Sequence, residues 1–226
     1  MKDQSLSKLQ KRVRAAQDES DAAVHFHEAW RPIVYDAELR KRMGTSYATN
    51  TFNLIRIALR REMLLALTRI WDADGRAIHL KNLIQTANDA EVIRSLANER
   101  GLGSWADMER DLRSKASEAQ TIANKYFESN GKSRDAYKIL LEVRGNFLAH
   151  NQIDRRNVPS DDEFDQKVEN FYQDTLKIVE LLLSVVNATS YNLEDTAKVF
   201  RRYSDYFWAS ARGERTEGHP SYRKPP

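Results

Sequence analysis

YKILLEVRGNFLAHN, Tyr137 to Asn151, is the stretch whose reading decides the fold. Tyr137, Leu140, Leu141, Val143, Phe147 and Leu148 recur at three- and four-residue spacing, which marks a helix with one apolar side. A polar cluster, Arg144, Asn146, His150 and Asn151, closes that helix. Arg144 carries a permanent, fork-shaped charge suited to phosphate oxygens, and His150 exchanges a proton near neutral pH without special tuning. Spacing alone says little. With 23 arginines and five histidines, about 1.5 Arg-to-His pairs with four to six intervening residues are expected by chance, and two occur. The second, Arg212 to His219, lies in a segment rich in Gly, Pro and charge that reads as a tail. Only the first ends an apolar helix.

Outward from this stretch the helical pattern continues in both directions. Eight glycines and five prolines are the only strong breakers, and no run alternates apolar and polar residues long enough to predict a sheet. An amphipathic start from Ser5 to Ser20 leads into a segment through Phe26, Trp30, Ile33, Val34 and Leu39, with Pro32 expected to interrupt or kink it and Gly44 to end it. Thr45 to Trp71 reads as a long central helix with Phe52, Ile55, Leu59, Met63, Leu67 and Ile70 on its core stripe, widened by Leu54, Leu64, Leu65 and Trp71. Shorter helices follow over Leu80 to Ala87 and Ala90 to Arg100. Ser104 then caps a helix expected to reach Ser129, and Ser133 caps the helix that carries the polar cluster. The acidic run Asp161 to Glu163 favours the start of a helix ending near Val186. A last helix, Leu193 to Ala209, sets Val199, Phe200, Tyr203, Phe207 and Trp208 on or near one side. The expectation is an all-α protein, a single helical domain over residues 1–210 with a charged tail at 211–226.

Composition removes several function classes. The chain has 226 residues, 41% of them hydrophobic, enough to bury a core. It has no cysteine, so thiolate and disulfide chemistry are excluded. The polar opening MKDQSLSKLQKRVR lacks the apolar heart of a secretion signal, and the run at Leu181 to Val186 is far too short to span a bilayer. A soluble, cytoplasmic protein with no membrane partner is expected. Net charge is only +3, yet arginine outnumbers lysine 23 to 13, a bias that suits phosphate contacts where arginines cluster.

Other chemistries fail on spacing. Asp72, Asp74 and Gly75 suggest a calcium loop, but the register puts Ala77 where glycine belongs and Leu83 where a bidentate glutamate belongs. His25 and His27, two apart on a helix, point to opposite sides, and no HExxH or cysteine set offers zinc ligands. Gly101-Leu-Gly103 lacks the third glycine of a dinucleotide loop, and neither a phosphate loop with its lysine nor GxSxG is present. Neither a metal nor another cofactor is expected.

An all-helical chain with Arg-x(4 to 6)-His at a helix end resembles the HEPN superfamily, and RGNFLAHN is similar to its AbiU-like abortive-infection branch, where the run commonly reads RNKxxAH. The segment LLALTRIWDADGRAIHLKNLI, Leu64 to Ile84, also resembles that branch: an apolar helix ending in a Phe/Trp-Asp turn, a charged step, then Ser/His-Leu and a short helix. The resemblance covers roughly residues 52–84 and 136–151 and implies a HEPN-like helical bundle with extra helices. One position departs from the pattern. The branch usually has a polar residue, most often asparagine, directly after the arginine; here it is Gly145, with Asn146 one place later. On a helix Asn146 and His150 are four apart and share a face, so the amide can orient the imidazole or meet the same phosphate.

Arg144 and His150, six residues apart, are separated by about 9 Å of helical rise and roughly 120° of rotation, a poor site on one helix. The resemblance implies a homodimer in which both copies of the pair share a cleft, acting as a metal-independent endoribonuclease of toxin or phage-defence type. RNA would be cut to 2′,3′-cyclic phosphate and 5′-hydroxyl ends, and a cognate antitoxin is the further partner implied. Asn146, Asn151 and Asp72 are the supporting candidates. Asp72, at a helix end beside Trp71, either reaches the cluster or serves its own turn. The alternative function is a non-catalytic helical RNA-binding or partner-binding module, in which His150 caps its helix and Arg144 pairs with an acid on another helix.

Overall fold

The computed structural model describes residues 2–44, 46–74, 78–100, 105–128, 133–135, 137–138, 140–141 and 162–211. Eight α-helices with bounds of their own are found among them, and no strand: α1 Lys2–Tyr35, α2 Ala37–Gly44, α3 Thr49–Ile70, α4 Leu80–Ala87, α5 Ala90–Arg100, α6 Trp105–Phe127, α7 Asp162–Asn187 and α8 Leu193–Ser210. The described residues from Arg134 to Leu141 are also helical. The all-α expectation is met, and none of the described helices is long and apolar enough to cross a membrane.

Pro32 does not interrupt α1. Proline removes one N–H, the donor to the Glu28 carbonyl, and here that loss falls in the last turn, where few helical bonds follow it. The chain turns instead at Asp36. Its N–H donates to the Pro32 carbonyl at 2.9 Å, and its carboxylate accepts the Leu39 N–H at 3.0 Å, capping α2. Helix α3 starts four residues later than expected, because the Thr49 hydroxyl lies 2.7 Å from the carbonyl oxygens of both Met43 and Ser46 and holds the connection as a turn. Leu54, expected to widen the core stripe, is 67% exposed, since it lies on the side of α3 away from Phe52 and Leu59.

The chain forms two compact units. The larger comprises Met1–Asp21 and Leu64–Leu193. In it α6 lies along α7, and α4 and α5 pack on α6. Asn88 fixes the end of α4, donating to the Ile84 carbonyl at 3.0 Å and to the Ala116 carbonyl of α6 at 2.9 Å. Asp89 caps α5 through the Glu91 and Val92 N–H groups, at 2.8 and 3.1 Å. Buried Leu80, Leu83, Ile84 and Ala87 give α4 one apolar face.

The smaller unit comprises Ala22–Met63 and Glu194–Pro226. Its core joins Ile33, Leu39, Met43, Phe52 and Trp208. The Trp208 indole N–H donates to the Ala29 carbonyl at 3.0 Å, and Arg42 donates to the Trp208 carbonyl at 2.9 Å, so one residue of α8 ties α1 and α2. Glu28, buried in the same unit, accepts two bonds from Arg201, at 2.8 and 3.1 Å, and lies 3.1 Å from His27 Nδ1.

Candidate functional site

Arg144, Asn146, His150 and Asn151, with Gly145, lie outside the described residues; Asp72 and the first turns of the helix that leads to the polar cluster lie inside them. The anchorage of that helix is well defined. Ser133 occupies its cap position, accepting the Tyr137 N–H on its carbonyl at 3.3 Å while its own N–H donates to the Lys125 carbonyl at the end of α6 at 3.1 Å. Arg134 donates to the Phe127 carbonyl, a second tie to α6. Among the described residues of that apolar side, Leu140 is fully buried and Tyr137 and Leu141 are partly buried.

Trp71 is the centre of this anchorage. Its ring meets Tyr126 at 5.2 Å, Phe127 at 5.0 Å, Tyr137 at 5.5 Å and Phe171 at 4.9 Å between centroids, within the range in which aromatic pairs add to simple burial. Its indole N–H donates to the Thr175 hydroxyl at 3.0 Å, and that hydroxyl donates to the Phe171 carbonyl at 2.6 Å, so the buried polar atoms are satisfied in series. The Trp71 carbonyl accepts the Tyr137 hydroxyl at 3.3 Å. Beside it, the Tyr126 hydroxyl donates to Asp174 at 2.7 Å, and Lys125 pairs with the same carboxylate at 3.0 Å. Burial first, then the bond to Asp174 and its charge, raise the Tyr126 pKa far above that of a free phenol, so this hydroxyl stays protonated and serves as a fixed donor.

Asp72 follows directly. Its carboxylate accepts the Asp74 N–H at 3.1 Å, closing an Asx turn that ends the α3 segment. His79 precedes α4 with φ of 57°, one of two non-glycine residues in the left-handed region among the described residues. That conformation costs on the order of 1 kcal/mol. His79 is recovered within the helix start, its carbonyl accepting the Asn82 and Leu83 N–H groups at 2.9 and 3.2 Å.

His25 and His27 do part company: His25 is exposed against Phe200, with 3.6 Å between ring centroids, and His27 is buried beside Glu28. The sequence reading missed Thr175, Asp174 and Tyr126 as parts of the anchorage. The available signal was Thr175 itself, a hydroxyl in the apolar run of α7 that had to find a partner, but that partner lies 104 positions away.

The family model AbiU2, of the HEPN class, matches residues 6–207. Neither the curated proteins nor the solved structures give a match. The matched span includes the Trp71–Asp72 turn, the Tyr137 helix and the whole cluster from Arg144 to Asn151. The chain therefore belongs to the AbiU2 family of HEPN proteins.

Proposed function

We propose that this protein is a metal-independent endoribonuclease of toxin or phage-defence type whose site, built from Arg144 and His150, is completed across a homodimer. The observation that carries this reading is a family match running through an Arg-x(5)-His cluster at the end of a stretch with helical apolar spacing. In the proposed reaction the 2′-oxygen of RNA gives up its proton to a histidine and bonds to the adjacent phosphorus. The bond from phosphorus to the 5′-oxygen breaks, and that oxygen takes a proton. The products are a 2′,3′-cyclic phosphate and a 5′-hydroxyl. His150 moves the protons, and Arg144 meets the charge that builds on the phosphorane, a contribution of about 3 kcal/mol in comparable sites. The attacking group is absent from DNA, which makes DNA a non-substrate.

Purified protein incubated with single-stranded RNA in EDTA is the test. Wild type should cut, and His150→Ala or Arg144→Ala should not, with helical circular dichroism unchanged. Equal cutting by both variants would assign the activity to a contaminant, and binding without cutting would leave a binding module.

A further inference from the structure

We infer that the C-terminal end of α8, with the neighbouring ends of α1 and α2, is a stacking platform for single-stranded nucleic acid. It rests on the smaller unit alone and does not require the cleavage reading. Among the described residues, seven of the eight large apolar side chains left exposed belong to this unit: Tyr35, Leu54, Ile57, Val199, Tyr203, Tyr206 and Phe207. Tyr206 and Phe207 are 61% and 63% exposed, although the next residue, Trp208, is buried. At about 100° per residue, Ala197, Ser204 and Trp208 share the core side of α8, while Val199, Tyr203 and Tyr206 line the far flank, with Phe207 at its edge.

Basic groups accompany these rings. The Trp208 carbonyl receives Arg42, the last member of the exposed run Arg40-Lys41-Arg42, and at the end of α1 Arg31 lies over the Tyr35 ring at 5.8 Å. On α8 itself Arg202 lies 5.8 Å from the Tyr206 ring centroid. Charge is divided the same way along the chain. The smaller unit holds 14 Lys and Arg against nine Asp and Glu, and the larger 22 against 24, so the excess positive charge belongs wholly to the unit with the exposed rings.

Exposed aromatic faces interleaved with arginines are what a flexible polyanion with flat bases requires. Bases stack on the rings, and guanidinium groups meet the phosphates. A second copy docked through this same face across a twofold axis would set the Arg40 to Arg42 run near its like, which charge disfavours. No 2′-hydroxyl is read in such stacking, so single-stranded DNA should bind as well as RNA.

The test uses the His150→Ala protein, to keep RNA intact, with a fluorescein-labelled 12-nucleotide oligouridylate and its deoxyuridine counterpart, read by polarisation at several salt concentrations. Both strands should bind with similar Kd. Phe207→Ala and Tyr206→Ala should each weaken both by roughly fivefold to a hundredfold, with circular dichroism unchanged. Arg40→Ala with Lys41→Ala should lower the salt slope by about 1.4. Unchanged binding in both aromatic variants would overturn the proposal. So would a fall in mass by light scattering in Phe207→Ala with oligonucleotide binding intact, which would make the flank a contact between copies. Binding of RNA but not of DNA would overturn it as well, placing the strand at a 2′-hydroxyl-reading site. Failure of wild type to cut RNA in EDTA sinks the ribonuclease reading and leaves these binding results standing.

Discussion

The Tyr137 hydroxyl donates to the Trp71 carbonyl over 3.3 Å, so the helix that leads to Arg144 and His150 is fastened to the end of α3 by a polar bond as well as by ring packing. The indole of the same Trp71 is held by Thr175. Thr175→Val keeps the volume but strands the indole N–H in a buried site, at a cost of about 1–3 kcal/mol. Trp71→Ala removes the ring around which four others pack and should cost about 3–5 kcal/mol. Urea denaturation followed by circular dichroism measures both. If Thr175→Val matches wild type, the indole bond contributes nothing.

Tyr137→Phe keeps the ring contacts and deletes only the hydroxyl, so the stability loss should be small, about 0.5–1.5 kcal/mol. If the bond positions the helix for chemistry, kcat for RNA cleavage should fall more than KM rises, while the fold survives. An unchanged kcat would reduce Tyr137 to packing.

In the smaller unit, burial pushes the Glu28 carboxyl up, but bonds from His27 and Arg201 and their charges outweigh it, leaving the pKa below the ordinary 4.5. A depressed folded value means that the unfolded chain takes the proton first as acid is added. The stabilisation is therefore complete above pH 4.5 and is lost as pH falls through the folded value. Glu28→Gln should flatten that acid limb in urea titrations at pH 7 and pH 3.5. At pH 7 its cost should be near the low end of about 1.5–3 kcal/mol, because Arg201 is 40% exposed and solvent screens the pair. An acid limb of equal steepness in the variant would remove Glu28 from the account.

Much of this fold was legible because periodicity fixes helices well: Leu80–Ala87 and Ala90–Arg100 stand where the apolar spacing put them. Periodicity does not say which part of a wide apolar arc is used. Phe207 and Trp208 were read together on one side of α8, yet only Trp208 is buried, and Leu54 was assigned to a core that Ile55 and Leu59 serve. The anchorage around Trp71 was hidden for another reason. It joins α3, α6, α7 and the Tyr137 helix, and no local pattern reports contacts made across a hundred residues. For the candidate site, residue types and chain spacing were readable, Asp72 is placed by its turn, and the pairing of Arg144 with His150 is open to direct experiment.

Assembly gives the sharpest such experiment. Light scattering should return about twice the 26.2 kDa chain mass. If one cleft draws on both protomers, Arg144→Ala and His150→Ala proteins, each inactive, should recover cleavage when mixed and allowed to exchange. Random pairing makes about half of the dimers heterodimers with one intact arginine and one intact histidine in the shared cleft. A dimer whose mixed variants stay inactive would rule out the composite site.

The family departure at Gly145 supplies the last prediction. Gly145 stands where the related motif usually carries a polar side chain, and Asn146 offers an amide one position on. On a helix that shift rotates the group by about 100°, so the amide can take over the role only if the cleft is approached from the His150 side, four residues away. On that reading Asn146→Ala should lower cleavage by one or two orders of magnitude, about 1.4–2.7 kcal/mol of barrier, and Gly145→Asn should add little. The opposite pattern is equally clear in single-turnover assays. A silent Asn146→Ala beside a strongly activating Gly145→Asn would mean that the amide does not serve the cleft. The glycine would then mark a protein whose catalytic constellation has been weakened, because the polar side chain that usually follows the arginine is missing.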